Sequence, residues 1–224
     1  MIKKIFLSVL LATFFVAGSI AQTAATTPRF WKNIEYFRQQ DSIKAPPEEP
    51  IVFVGSSSFT IWQKVNSDFP GYPILNRGFG GSTLTDVIRY ADDVIVKYHP
   101  KQVLIYCGDN DLANSTTITA EKVVERFKTL YGIIRKSLPD TRIDYVSIKP
   151  SPSRAHLLPK MIAANEGIKK FLEKDKNAGY IDVFSAMLDE NGKPREDLFR
   201  QDRLHMKRNG YEIWIKVIKP YLVK

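Results

Sequence analysis

Ile51-Val52-Phe53-Val54-Gly55 decides the fold: four apolar residues in a row, introduced by Ala45-Pro46-Pro47-Glu48-Glu49-Pro50 and stopped by a glycine. A strand wetted on one side alternates apolar with polar residues, whereas one that is apolar throughout is covered on both faces, as in a parallel sheet. The same grammar recurs from Pro73 to Asn76 ahead of Gly78, over Val103-Leu104-Ile105-Tyr106-Cys107 ahead of Gly108, and over Arg142 to Ile148 and Tyr180 to Phe184. Helical patterns lie between. Val123, Val124, Phe127, Leu130, Tyr131, Ile134 and Leu138 keep the 3.6-residue period behind an N-cap at Thr119, and Pro139 ends the run. Residues 29 to 43 read as a flanking helix. Arg208 to Tyr221 reads as the last helix, with Tyr211, Trp214, Ile215 and Ile218 on one face.

Strands alternating with helices predict an α/β domain, a three-layer α/β/α sandwich around a five-stranded, mostly parallel sheet with right-handed crossovers. The 224 residues suit one such domain, and 44% hydrophobic with 25% charged residues is ordinary globular usage. The single cysteine, Cys107, excludes an internal disulfide and a multi-cysteine zinc site. It reads as a small core residue, and Trp62 and Trp214 as packing. Lys3 and Lys4, the apolar run Ile5 to Val16 and the small residues of Ser19-Ile20-Ala21 have the layout of a secretory signal peptide, the run being shorter than a membrane span. The chain is therefore expected to divide into a signal peptide (1–21), an N-terminal helical extension and linker (22–49) and a catalytic-type domain (50–224). The mature protein is expected in the periplasm or outside the cell, without stable membrane insertion. Cleavage removes two lysines and no acid, taking the formal charge from +9 to +7. The basic residues are scattered singly, which reads as a solvated surface and not as a nucleic-acid site.

In parallel sheets ligands bind beyond the carboxyl ends of the strands, so the polar and glycine clusters after the strands should open on one edge. They are Gly55-Ser56-Ser57-Ser58, Asn76-Arg77-Gly78-Phe79-Gly80-Gly81-Ser82, Gly108-Asp109-Asn110-Asp111 and Asp202-Arg203-Leu204-His205. Each alone is ordinary cap or turn composition. Together they contain what hydrolytic acyl transfer needs: a hydroxyl at a helix start, an imidazole, a carboxylate to orient it, and donors for an oxyanion. Asp202 and His205 are three apart, so on a helical turn they would face the same way. Any of the three serines could supply the hydroxyl. A Gly-x-Ser-x-Gly elbow is broken by Phe59. A flavodoxin-like cofactor binder or a glycan binder is the non-enzymatic alternative on the same fold, but a flavin site has no use for Asp202-x-x-His205 or Gly108-x-Asn110.

Four such blocks in this order resemble the SGNH hydrolases, the GDSL-type esterases and lipases, with likeness to bacterial relatives of platelet-activating-factor acetylhydrolase subunits in Asp109-Asn110-Asp111-Leu112-Ala113, Ser147 to Arg154 and Leu198-Phe199. The resemblance runs from about residue 50 to the C-terminus. It implies the SGNH hydrolase fold and a secreted carboxylic ester hydrolase removing short acyl or acetyl groups from a small-molecule or glycan ester, with carbohydrates and lysophospholipids as candidate substrates, through an acyl-enzyme, with no cofactor and no metal. It further implies Ser57 as nucleophile, His205 as base and Asp202 as its orienter, with Ser57, Gly81 and Asn110 around the oxyanion. Ser56 stands where the family pattern has aspartate. Asp109 and Arg154 are expected near the same edge, as substrate contacts or as a structural ion pair.

Overall fold

The computed structural model describes residues 27–224, so the expected signal peptide lies outside the described residues. In chain order the elements are α1 (Trp31–Ile43), β1 (Ile51–Gly55), α2 (Ser57–Thr60), α3 (Val65–Asp68), β2 (Ile74–Gly78), α4 (Leu84–Arg89) and α5 (Ala91–Val94). There follow β3 (Gln102–Tyr106), α6 (Asp109–Ala113), α7 (Ala120–Ser137), β4 (Arg142–Val146), α8 (Leu158–Leu172), β5 (Ala178–Ile181) and α9 (Arg208–Ile218). The sheet order is β2-β1-β3-β4-β5, and every pair is parallel.

The unbroken apolar runs do what their pattern demands. Val52 and Val54 of β1 face one layer with Val103, Ile105, Ile143 and Tyr145, and there α4, α5, α7 and α8 close over them together with Ile34 and Phe37 of α1. Ile51 and Phe53 face the other layer with Leu104, Tyr106, Val146 and Ile181, under Phe59, Trp62, Phe69 and the Tyr211-Trp214-Ile218 stripe of α9. Trp214 is fully buried and meets Tyr106 and Phe59 edge to face at 4.9 and 6.0 Å. Such contacts contribute roughly 0.5–1.5 kcal/mol each beyond burial. Among the described residues no helix is long and apolar enough to cross a membrane.

Two strands differ from their expected extents because side chains take over the ladder. β4 stops at Val146, since the Ile148 N–H and C=O both pair with the Asn165 amide, at 2.9 and 3.1 Å. β5 runs Ala178–Ile181 and not to Phe184, because the N–H groups of Val183 and Phe184 both donate to Ser147 Oγ. The register then brings the strand ends level: Gly55 is opposite Gly78 on one side and Tyr106 on the other. A Cβ on Gly55, at φ 131°, would stand 1.9 Å from the Tyr106 carbonyl oxygen, so β1 can turn away only at a glycine.

Candidate active site

α2 begins where β1 ends. Ser57 is its first residue, while Ser56 and Ser58 on either side are each 1% exposed. The rival hydroxyls are thereby separated. Ser56 Oγ accepts from Asn110 Nδ2 at 2.6 Å, whereas Ser57 Oγ lies 3.1 Å from His205 Nε2. The other imidazole nitrogen, Nδ1, lies 2.7 Å from Asp202 Oδ2.

Asp202 and His205 do not sit on a helical turn as the spacing predicts. Residues 200–205 form an irregular turn with Arg203 at φ 55°, closed by the Arg200 N–H donating to the His205 carbonyl at 2.8 Å and by a Phe199–Met206 bridge. What aligns the pair is an Asx-type contact: Asp202 Oδ1 accepts the N–H groups of Leu204 and His205, both at 2.9 Å, which leaves Oδ2 for the ring. Burial works to raise the Asp202 pKa, but those two N–H groups and the imidazole outweigh it and lower it to about 2. The carboxylate is ionised throughout the neutral range.

The second cluster runs beside the serine: a Cβ on Gly80 would lie 3.8 Å from Ser57 Cβ. A capping box fixes this loop to the start of α4, with Thr83 and Asp86 bonding each other's backbone N–H groups, and the Leu84 N–H donates to Asp111 Oδ2 at 2.9 Å. Gly81 has φ 84°, in the left-handed region. Neither its N–H nor that of Ser57 has an acceptor among the described residues. Two free backbone donors beside a hydroxyl are the raw material of an oxyanion site.

Asn110 is drawn in from the third cluster. Its Nδ2 is shared between Ser56 Oγ and the Ser82 carbonyl, 3.0 Å away, and its Oδ1 accepts from Arg154 Nη2 at 2.9 Å. Asp109 and Arg154 form the ion pair that was one of the two expectations, with Arg154 Nη1 2.8 Å from Asp109 Oδ2. Asp109 is 5% exposed and faces inward. Sequence reasoning missed Lys149, which is 1% exposed, donates to Ser151 Oγ at 2.8 Å and lies 3.8 Å from Asp109 Oδ2. Burial lowers its pKa to about 8, against the pull of Asp109. Nothing in a Lys-Pro pair at a strand end marks a lysine as buried. Cys107 is buried and its thiol pKa is pushed well up, first by burial and then by Asp111 and Asp109, which fits a core role and not a nucleophile.

Compared with known proteins, residues 41–213 match the GDSL-like Lipase/Acylhydrolase family. The chain belongs to that family. It is accordingly a carboxylic ester hydrolase. Among solved structures, a Streptococcus pneumonia protein described as a platelet activating factor is 20% identical, with TM-score 0.75 over 86% of this chain and 92% of its own. A GDSL-like lipase from Bacteroides thetaiotaomicron is 19% identical, with TM-score 0.73 over 84% and 96%. An acetyl-xylooligosaccharide esterase from Geobacillus Stearmophilus is 14% identical, with TM-score 0.63 over 79% and 95%. At these identities the likeness is one of fold. No curated protein matches the chain.

Proposed function

We propose that this GDSL-type hydrolase is an exported serine esterase that removes acetyl or other short acyl groups from a carbohydrate or small-molecule ester through a Ser57-His205-Asp202 triad. The observation that carries the reading is the contact chain from Ser57 Oγ to His205 Nε2 at 3.1 Å and from His205 Nδ1 to Asp202 Oδ2 at 2.7 Å. His205 accepts the hydroxyl proton as Ser57 attacks the ester carbonyl. Asp202 holds Nδ1–H and thereby the tautomer that leaves Nε2 free to accept. The tetrahedral oxyanion is received by the N–H groups of Ser57 and Gly81, and Asn110 joins by sharing an N–H that already has an acceptor. His205 returns the proton to the leaving alcohol, and a water activated by the same imidazole hydrolyses the acyl-Ser57 ester.

Export rests on the Lys3-Lys4 and apolar Ile5 to Val16 pattern at the N-terminus. An acetyl-sugar substrate is supported by the fold likeness to an acetyl-xylooligosaccharide esterase. The test is a panel of p-nitrophenyl esters of increasing chain length beside acetylated xylan and lysophospholipid, with Ser57→Ala and His205→Ala as controls. Each variant is expected to lose about 10⁴-fold or more in kcat, with acetyl esters the fastest substrates. Full activity in Ser57→Ala would overturn the mechanism, and a lysophospholipid preference would overturn the substrate class.

A further inference from the structure

Three charged side chains are packed beneath the proposed oxyanion site. Lys149 has 2% of its side chain exposed, Asp109 6% and Arg154 14%. Taking such groups out of water is costly, and pairing seldom repays it fully. Here the pairing is incomplete: Asp109 Oδ1 has no hydrogen-bond partner, and the Arg154 Nη1 contact to Oδ2 is an ion pair without hydrogen-bond alignment. Packing alone would be better served by apolar side chains. The cluster has an outlet towards the site, however, in the Arg154 Nη2 bond to Asn110 Oδ1.

That bond matters because a primary amide is nearly symmetric in shape, so only its partners decide which end is oxygen. With Oδ1 towards Arg154, Nδ2 faces Ser56 Oγ and the Ser82 carbonyl. In the flipped amide the oxygen would oppose that carbonyl, and the NH₂ would oppose a guanidinium that can only donate. The guanidinium is fixed from behind by Asp109, which is itself held by Lys149. The backbone gives the same support, since the Arg154 N–H donates to the Ser151 carbonyl at 2.9 Å and Ser151 Oγ accepts from Lys149.

We propose that Arg154 is a positioning residue: braced by Asp109 and Lys149, it sets the orientation of the Asn110 amide so that its NH₂ is presented to the oxyanion and not turned away. The same short segment also supports the histidine side of the site, because the Ser153 N–H donates to the Arg203 carbonyl inside the 200–205 turn at 3.0 Å. In this role Arg154 acts through Asn110 and need not touch the substrate. The inference rests on the oxyanion role given to Asn110.

The test is a double-mutant cycle of Arg154→Ala and Asn110→Ala, with kcat and KM measured on p-nitrophenyl acetate and folding checked by near-ultraviolet circular dichroism. Arg154→Ala is expected to lower kcat about 10- to 100-fold with KM within about two-fold of the parent. It is expected to cause no further loss in the Asn110→Ala background, since a residue acting through another has nothing left to act on. Should Arg154→Ala fail to fold, Arg154→Lys, which keeps the charge near Asp109 but loses the forked geometry, takes its place in the cycle with the same expectation. Equal fold-losses in both backgrounds, a rise in KM at unchanged kcat, or parental kcat in the arginine variant would each overturn the proposal. If Ser57→Ala is inactive and Arg154 proves silent, only this inference falls; if Ser57→Ala is active, the triad falls first.

Discussion

Replacing Lys149 by Met keeps all but the last atom of the side chain's length and removes a cation from the floor of the site. Burial lowers the lysine pKa from the ordinary 10.5 to about 8, while Asp109 and Asp202 pull the other way and Arg154 reinforces the fall. Below about pH 8 the lysine is charged in both folded and unfolded chains, and the fold carries the cost of burying the charge. Between about 8 and 10.5 the unfolded chain holds a proton that the folded one has released, so the stability of the parent rises with pH. At ~1.4 kcal/mol per pH unit the whole interval corresponds to about 3.5 kcal/mol, of which about 2.5 kcal/mol is expressed between pH 7 and pH 10. The methionine variant has no proton to release at this position. Urea unfolding of parent and Lys149→Met at both pH values should therefore show the parent gaining about 2.5 kcal/mol on the variant, whichever is the more stable at pH 7. Groups that titrate in both chains cancel in the difference. A constant difference would mean that Lys149 is hydrated in solution; one that narrows against the parent would mean that the attraction of Asp109 exceeds the desolvation cost. Either result refutes the reasoning.

Two further outcomes follow from the site. Asp202→Asn removes the charge that stabilises the imidazolium and substitutes an amide that can present N–H to Nδ1, favouring the wrong tautomer; kcat should fall about 10³- to 10⁴-fold with KM little changed, and a KM effect alone would argue against an orienting role. Gly81→Ala meets open space, so its cost is the strain of holding a Cβ at φ 84°, about 1–2 kcal/mol in urea unfolding. Relief of that strain by turning the peptide should swing the N–H away from the oxyanion and lower kcat about 10- to 100-fold, and an alanine variant with parental kcat would remove Gly81 from the site.

The sheet was legible because parallel strands advertise themselves: residues 51–54 and 103–106 are apolar on both faces, and both faces are buried. α8 was not legible. Its buried stripe of Met161, Ala164, Asn165, Ile168 and Leu172 has helical spacing, but small and polar residues weaken the apolar signal. Gly167 packs so close to α7 that a Cβ there would stand 2.7 Å from Val124 Cγ2, and close approach of this kind selects small residues that a hydropathy pattern under-reads. At the site, the spacing of Asp202 and His205 identified the pair but not its geometry, because an Asx-type turn and a helical turn both place residues i and i+3 together. Lys149 was invisible for a different reason. Its burial depends on Tyr106 and Asp109 where β3 runs into α6 and on Phe199 from a distant part of the chain, and no local pattern records such a meeting.

The departure at Ser56 becomes intelligible once the surrounding charges are counted. Asp109 and Asp111 are already 5% and 2% exposed in α6 on either side of Asn110, and Asp111 draws on Arg126 at 2.7 Å while burial raises its pKa. A carboxylate at position 56 would bring a third buried anion to the far side of the Asn110 amide, with Arg154 already committed to Asp109. The serine hydroxyl accepts the amide N–H without adding charge. A neutral acceptor also holds that N–H less strongly than a carboxylate would, by roughly a factor of two. In the proposed mechanism this difference has a direction: the Asn110 N–H must be shared with an oxyanion that exists only during the reaction, and the weaker its resting bond, the smaller the fraction of its stabilising power that is cancelled by what it gives up. Ser56 thus trades a tightly held amide for one more easily shared, and Arg154 supplies from the oxygen end the orientation that a carboxylate would otherwise enforce from the nitrogen end.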